Sequence, residues 1–179
     1  MATELSQASL LEESGQWLQA LHCLNHAIRS GHVVDAEVWH SVGRLHQRLM
    51  NLSQARRAYA TALLSDPCRP RTFNNLALLE LERLNALEAE RWVLQGLACQ
   101  SLGIDDEELL QATACDLRLF QLRPAQALSH VDQQLVRRES VMALANRAVC
   151  LHKLGRLPEA VVTQERAIRL HLSQYAPLL

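Results

Sequence analysis

The feature that most constrains this chain is a row of small residues at a repeating interval. Ala20, Ala55, Ala89, Ala127 and Ala160 each follow a turn signal and begin an apolar stripe, at separations of 35, 34, 38 and 33 residues. Twelve residues before each stands another small residue: Ala8, Gly43, Ala77, Cys115 and Ala148. A fixed offset between two small residues makes physical sense where two antiparallel helices cross, because a missing side chain lets their backbones approach. The turn between the helices should then fall midway. Gly15, Met50-Asn51, Leu84-Asn85, Arg123-Pro124 and Gly155 through Pro158 occupy that place, with Gly suited to a helix C-cap and Pro to a first helical turn. Four residues beyond each alanine come Leu24, Tyr59, Val93, Val131 and Gln164; three further on come Ala27, Ala62, Gly96, Gln134 and Ala167. These positions share one helix face.

The rest of the composition agrees with helices. Leu, Ala, Gln, Glu and Arg dominate, only 6 Gly and 5 Pro punctuate the chain, and no sheet is expected. The 18 Lys and Arg are interspersed with 19 Asp and Glu, so no long-range field is offered to nucleic acid or to an anionic membrane. The five cysteines lie far apart with no CxxC pair, which fits a reduced, cytoplasmic protein. No window approaches the roughly 20 apolar residues of a membrane span, and the N-terminus shows no basic leader or signal-length apolar stretch.

The pattern resembles the tetratricopeptide repeat, a helix-turn-helix of about 34 residues carrying W-x2-L-G-x2-Y, then A-x3-F, then P. The second unit matches best, through Trp39, Val42, Gly43, His46, Ala55, Tyr59, Ala62 and Pro67. The third keeps Phe73, Leu76, Ala77, Ala89 and Gly96, and the fifth Leu144, Ala148, Leu151, Gly155, Ala160 and Ala167. The first keeps Gly15, Trp17, Ala20, Leu24 and Ala27, but Glu4 and Gln7 suggest that its first helix is a polar cap. The fourth is weakest, with Gln111, Ala114 and Gln134 at usually apolar or small places and four extra residues in the preceding SLGIDD linker. The resemblance implies an all-α, right-handed superhelical solenoid of five helix-turn-helix repeats. It would form one domain over 1–179, with repeats at about 4–34, 36–69, 70–102, 106–139 and 140–173.

In such a solenoid the first helix of each pair lines a concave wall that holds extended peptides or protein segments. The residue two before each small crossing residue points to that wall: Ser6, Ser41, Asn75, Thr113 and Asn146, all small and polar. Such a row suits the backbone of an extended ligand, and the resemblance transfers this role most directly to Asn75 and Asn146. In PRTFNNLALLE, residues 70–80, the neighbouring Asn74 is read as a solvated groove-edge residue with no special role. Arg44, Arg48 and Arg71 in the middle, with His152 and Lys153 in the fifth unit, would accept an acidic segment, although Glu12, Glu13, Glu82 and Asp116 stand against them. The family's carboxylate clamp is not reproduced, since Leu5 and Ser9 stand where it needs Lys and Asn, so no chaperone-tail binder is expected.

Signals for chemistry are sparse. His22 and His26 have helical metal spacing but no third ligand motif, and Cys115 and Cys150 fall at helix-packing places where a thiol acts as a small apolar residue. Phosphate-binding and nucleophile-elbow motifs are absent, so no catalysis, cofactor or metal is expected. Trp17, Trp39 and Trp92 fall at repeat-periodic places and read as core. The last helix, PEAVVTQERAIRLHLSQY, followed by APLL, leaves apolar surface for another helix, a second copy in a homodimer, or a further domain. Two functions follow: a protein-binding scaffold or adaptor with an extended partner segment in its groove, or the regulatory or substrate-docking portion of a larger modifying enzyme such as a glycosyltransferase.

Overall fold

A computed structural model describes residues 2–31, 35–100 and 102–175; the APLL end lies outside them. Among the described residues the chain forms ten helices, which we number in order. The first helices of successive pairs are α1 (Ala2–Glu13), α3 (Ala36–Arg48), α5 (Pro70–Glu82), α7 (Ile104–Phe120) and α9 (Val141–Lys153). The second helices are α2 (Trp17–Arg29), α4 (Leu52–Ser65), α6 (Ala86–Leu97), α8 (Pro124–Arg137) and α10 (Leu157–Tyr175). The architecture is an all-α solenoid of stacked helix pairs.

Local sequence sets the helix ends. The Asp35 and Ser140 side chains accept from the backbone N–H of Val38 and Ala143 at 3.0 and 3.1 Å, capping α3 and α9. Pro70 and Pro124 open α5 and α8, where a missing N–H costs nothing. The turn inside every pair is the same device. Seven residues after each small crossing residue the backbone takes positive φ: Gly15 (75°), Met50 (59°), Leu84 (60°), Leu122 (58°) and Gly155 (75°). The next residue's N–H then donates to the carbonyl five residues back, from Gln16 to Leu11, Asn51 to His46, Asn85 to Glu80, Arg123 to Arg118 and Arg156 to Leu151. This closure satisfies carbonyls that the helix end would otherwise leave unpaired.

The ten small residues do lie at the crossings, and all are buried. At Gly43 the approach is so close that a Cβ would drive into the Tyr59 ring of α4. Successive pairs are joined through apolar clusters. Leu24 clusters with Val42 and Leu45, Tyr59 with Leu76 and Leu79, Val93 with Ala114 and Leu117, and Val131 with Ala143 and Leu151. The layers differ in one respect. Among the described residues α3 packs on α5, α5 on α7 and α7 on α9, whereas contact between one second helix and the next is at most marginal. Tighter spacing along the first-helix layer makes it the inner side of the curve.

Candidate functional site

The inner layer is laced by polar contacts, many of them about one repeat apart in sequence. At the junction of the second and third pairs, His40 of α3 is buried. Its Nε2 lies 3.4 Å from the Asn75 Nδ2 of α5, and its Nδ1 lies 2.9 Å from Thr72 Oγ1. An amide nitrogen can only donate, so Nε2 accepts and the proton of the neutral ring sits on Nδ1, donating to Thr72. Burial, followed by the nearby Arg69 guanidinium, lowers the His40 pKa to about 4, which keeps the ring neutral. The ring packs against Tyr59 at a centroid distance of 5.6 Å. Tyr59 Oη donates to Gln47 Oε1 at 3.0 Å, and Gln47 Nε2 donates to Glu82 at 2.8 Å. Burial holds the Tyr59 phenol well above its ordinary range. Asn75 is therefore half-buried and engaged within the array.

Two expectations fail here. Asn74 is not a solvated groove-edge residue: it is 2 % exposed, and its Oδ1 accepts from Thr113 Oγ1 of α7 at 2.6 Å. Thr113, expected on the open wall, is buried by the same bond. The reason is the turn of α5 against α7, which places the position next to Asn75 inside the third junction. A fully buried carboxylate, Glu80, reinforces this region. It accepts from Arg83 Nη1 at 3.2 Å and Asn85 Nδ2 at 3.4 Å and pairs with Arg56 Nε of α4 at 3.0 Å.

The expected basic residues in the middle of the inner layer are also partnered. Arg44 pairs with Glu12 at 2.8 Å and Arg71 with Asp106 at 3.1 Å, and Arg69, which was not among the expected residues, pairs with Glu37. The Arg48 guanidinium lies 5.9 Å over the Trp17 ring. Trp17 was expected in the core but is partly exposed beneath that cation.

The fifth pair is different. Asn146 is half-buried, and among the described residues its amide makes no hydrogen bond. One turn before it on the same face of α9 is Met142, and three residues after it Val149, both exposed. His152 and Lys153 are exposed at the end of the helix. Beneath this face Arg147 Nε donates to Asp132 at 2.7 Å and its Nη1 to Thr163 at 2.8 Å, fixing α9 against α8 and α10. Ser41 of α3 is half-buried and Ser6 of α1 exposed.

The fourth pair explains its poor match. Gln111 Oε1 of α7 accepts from His130 Nε2 and, at 3.2 Å, from Gln134 Nε2 of α8, and a cavity of about 160 Å³ opens beside them. Polar side chains thus bridge the helices where other pairs use small apolar residues. His26 Nδ1 is occupied by Glu4 at 3.0 Å, and among the described residues no group of three His, Cys, Asp or Glu could hold a metal ion. Cys115 and Cys150 are buried free thiols, 3.5 Å apart at the α7–α9 contact. Among the described residues no helix is long and apolar enough to cross a membrane.

Comparison with known proteins agrees with this architecture. The family model described as tetratricopeptide repeat matches residues 114–177. No curated protein matches the chain. Among solved structures, pilF of Pseudomonas aeruginosa is similar at a TM-score of 0.75 and 19% identity, covering 92% of this chain and 75% of that one. A putative kinesin light chain of Podosopora anserina, with nearly identical TPR-like repeats, has a TM-score of 0.76 and 14% identity, covering 97% and 95%. A thermophilic TPR protein of Thermus thermophilus has a TM-score of 0.73 and 15% identity, covering 93% and 89%. At these identities the likeness concerns the fold.

Proposed function

We propose that this chain, a tetratricopeptide-repeat protein, is a non-catalytic scaffold that captures an extended peptide or protein segment on the inner face of its fifth repeat. The observation that carries this reading is Asn146, an inner-face amide with no hydrogen-bond partner among the described residues, between exposed Met142 and Val149. An amide offers both donor and acceptor to a peptide backbone, and the flanking apolar side chains offer contact to alternate residues of an extended strand. Lys153 adds positive charge, and His152 a ring N–H, for an acidic residue of the ligand. Asn75, Ser41, Arg44, Arg48 and Arg71 have secondary places in this reading, because most of them already hold neighbouring repeats together, and buried Thr113 has none. Five free thiols fit a cytoplasmic setting.

The test is selection of extended peptides against the whole chain, followed by affinity measurement by fluorescence anisotropy. Asn146→Ala and Met142→Ala should each weaken binding about tenfold, equivalent to about 1.4 kcal/mol, with unchanged helical circular dichroism. Undiminished binding by both variants would remove the fifth repeat as the site.

A further inference from the structure

The outer face of α10 repeats a surface that is covered everywhere else in the array. In the first four pairs the position four after the second crossing residue is buried against the next first helix, as Leu24, Tyr59, Val93 and Val131. Four residues further on stand Ile28, Leu63, Leu97 and Leu135, each packed on the same clusters. In α10 the corresponding residues are Gln164 and Ile168, both exposed. The face that seats a neighbouring helix in four pairs is therefore present but uncovered among the described residues.

Its pattern points to one kind of occupant. Leu157, Val161, Gln164, Ile168 and Leu172 fall within roughly 80° of the helix circumference and extend about 22 Å along it. Val161 is 58%, Ile168 50% and Leu172 62% exposed, and no charged residue lies in the stripe. Read in either direction the stripe is nearly the same: an apolar pair, one amide, an apolar pair. An antiparallel helix carrying the same stripe, related by a two-fold axis at Gln164, would set Gln164 against Gln164 and bring Leu172 and Ile168 within one residue of the places opposite Leu157 and Val161. That is the self-complementarity an isologous dimer requires. A further repeat would be served better by an apolar residue at the Gln164 position, as in the other four pairs. Two facing amides can instead donate and accept reciprocally on a two-fold axis.

We propose that a second copy of this chain docks α10 against α10, antiparallel, about a two-fold axis at Gln164. The inference rests on the stacking surface and is independent of peptide capture on α9. A single helix pair is at the small end of specific interfaces, so a dissociation constant in the micromolar range is expected, on the order of 10 µM.

Sedimentation equilibrium of the whole chain between about 1 and about 200 µM tests it across that range. The expected result is a monomer–dimer equilibrium. Ile168→Glu places a charge in both symmetry-related halves and should weaken the dimer at least about hundredfold, while circular dichroism reports an unchanged fold. Gln164→Leu should tighten it about tenfold, by exchanging an amide for apolar contact on the axis. Leu94→Glu, on the exposed surface of α6, should leave the equilibrium unchanged. A monomer throughout the range, a dimer that survives Ile168→Glu, or an open series of larger oligomers would each overturn the proposal.

Discussion

Asn75 and Asn146 occupy the same place in their repeats, two residues before the small crossing residue, and the structure uses them differently. Asn75 faces His40 of the preceding pair, within a polar network that continues through Tyr59, Gln47 and Glu82. Asn146 has no such neighbour, because the place in α7 that matches His40, three residues before the small crossing residue, is Ala112, which carries no polar group to meet the amide. The same residue type at the same register becomes a tie in one region and an open amide in the other. What decides its role is the side chain one repeat away.

The largest effect should come from breaking the tied region at its closest crossing. Gly43→Ala forces Tyr59 to move, and since Tyr59 is fully buried between the second and third pairs, a loss of about 3 kcal/mol in denaturant unfolding is expected. Small-residue changes in the exposed part of the fifth pair should show nothing comparable.

Next is acid. His40 has a folded pKa of about 4, below the ordinary value of 6.5, so on acidification the unfolded chain takes up the proton first. Stability is fully present above about pH 7 and falls as pH drops from 6.5 toward 4, by up to about 3 kcal/mol. Arg69, Arg44 and Arg71 oppose protonation and Glu37 favours it, and all face His40 in the folded state. Urea unfolding at a series of pH values checks this, with His40→Gln as the control that should flatten the difference between pH 7 and 5. An equal slope in that variant would assign the acid sensitivity elsewhere.

The direct comparison is between the two asparagines. Asn75→Ala leaves His40 Nε2 without its donor and should cost about 1–2 kcal/mol of stability. Asn146→Ala should change stability by less than about 0.5 kcal/mol while weakening peptide binding. Differential scanning fluorimetry beside anisotropy separates the outcomes; equal melting shifts would erase the distinction between tie and open amide.

The smallest effect belongs to a feature common to both regions. Leu84 holds φ of 60° and is 76% exposed, whereas the fifth pair has Gly155 at the matching turn. Leu84→Gly removes backbone strain without exposing core and should stabilise by up to about 1 kcal/mol. Destabilisation on urea unfolding would mean that the leucine contributes contacts that its exposure hides.

The crossings and turns were legible in the sequence because they are local requirements. A close backbone approach needs Ala8 or Gly43 whatever lies elsewhere, and a helix end needs Gly15 or its equivalent. Asn74 and Thr113 were misread because burial at an inter-repeat contact depends on where the next first helix sits, and the longer linker before α7 changes the offset from 35 to 39 residues. A signal was present. Arg44 and Glu12 lie 32 residues apart, as do His40 and Thr72, while Gln47 and Glu82, and Arg71 and Asp106, lie 35 apart. Complementary polar residues one repeat apart mark the inner layer, and residues lacking such a partner, Asn146 among them, mark what remains available.

The unequal layers also have a mechanical consequence. Contacts between successive first helices form a continuous spine through α3, α5, α7 and α9, while contact between successive second helices is at most marginal. Such an object bends like a book held at its binding: the outer edge opens and closes at little cost, and the spine resists extension. A segment lying along α9 would rest on the stiff side of the hinge, so a change in superhelical pitch could take place while the inner-face register, and the spacing of its anchors, is preserved.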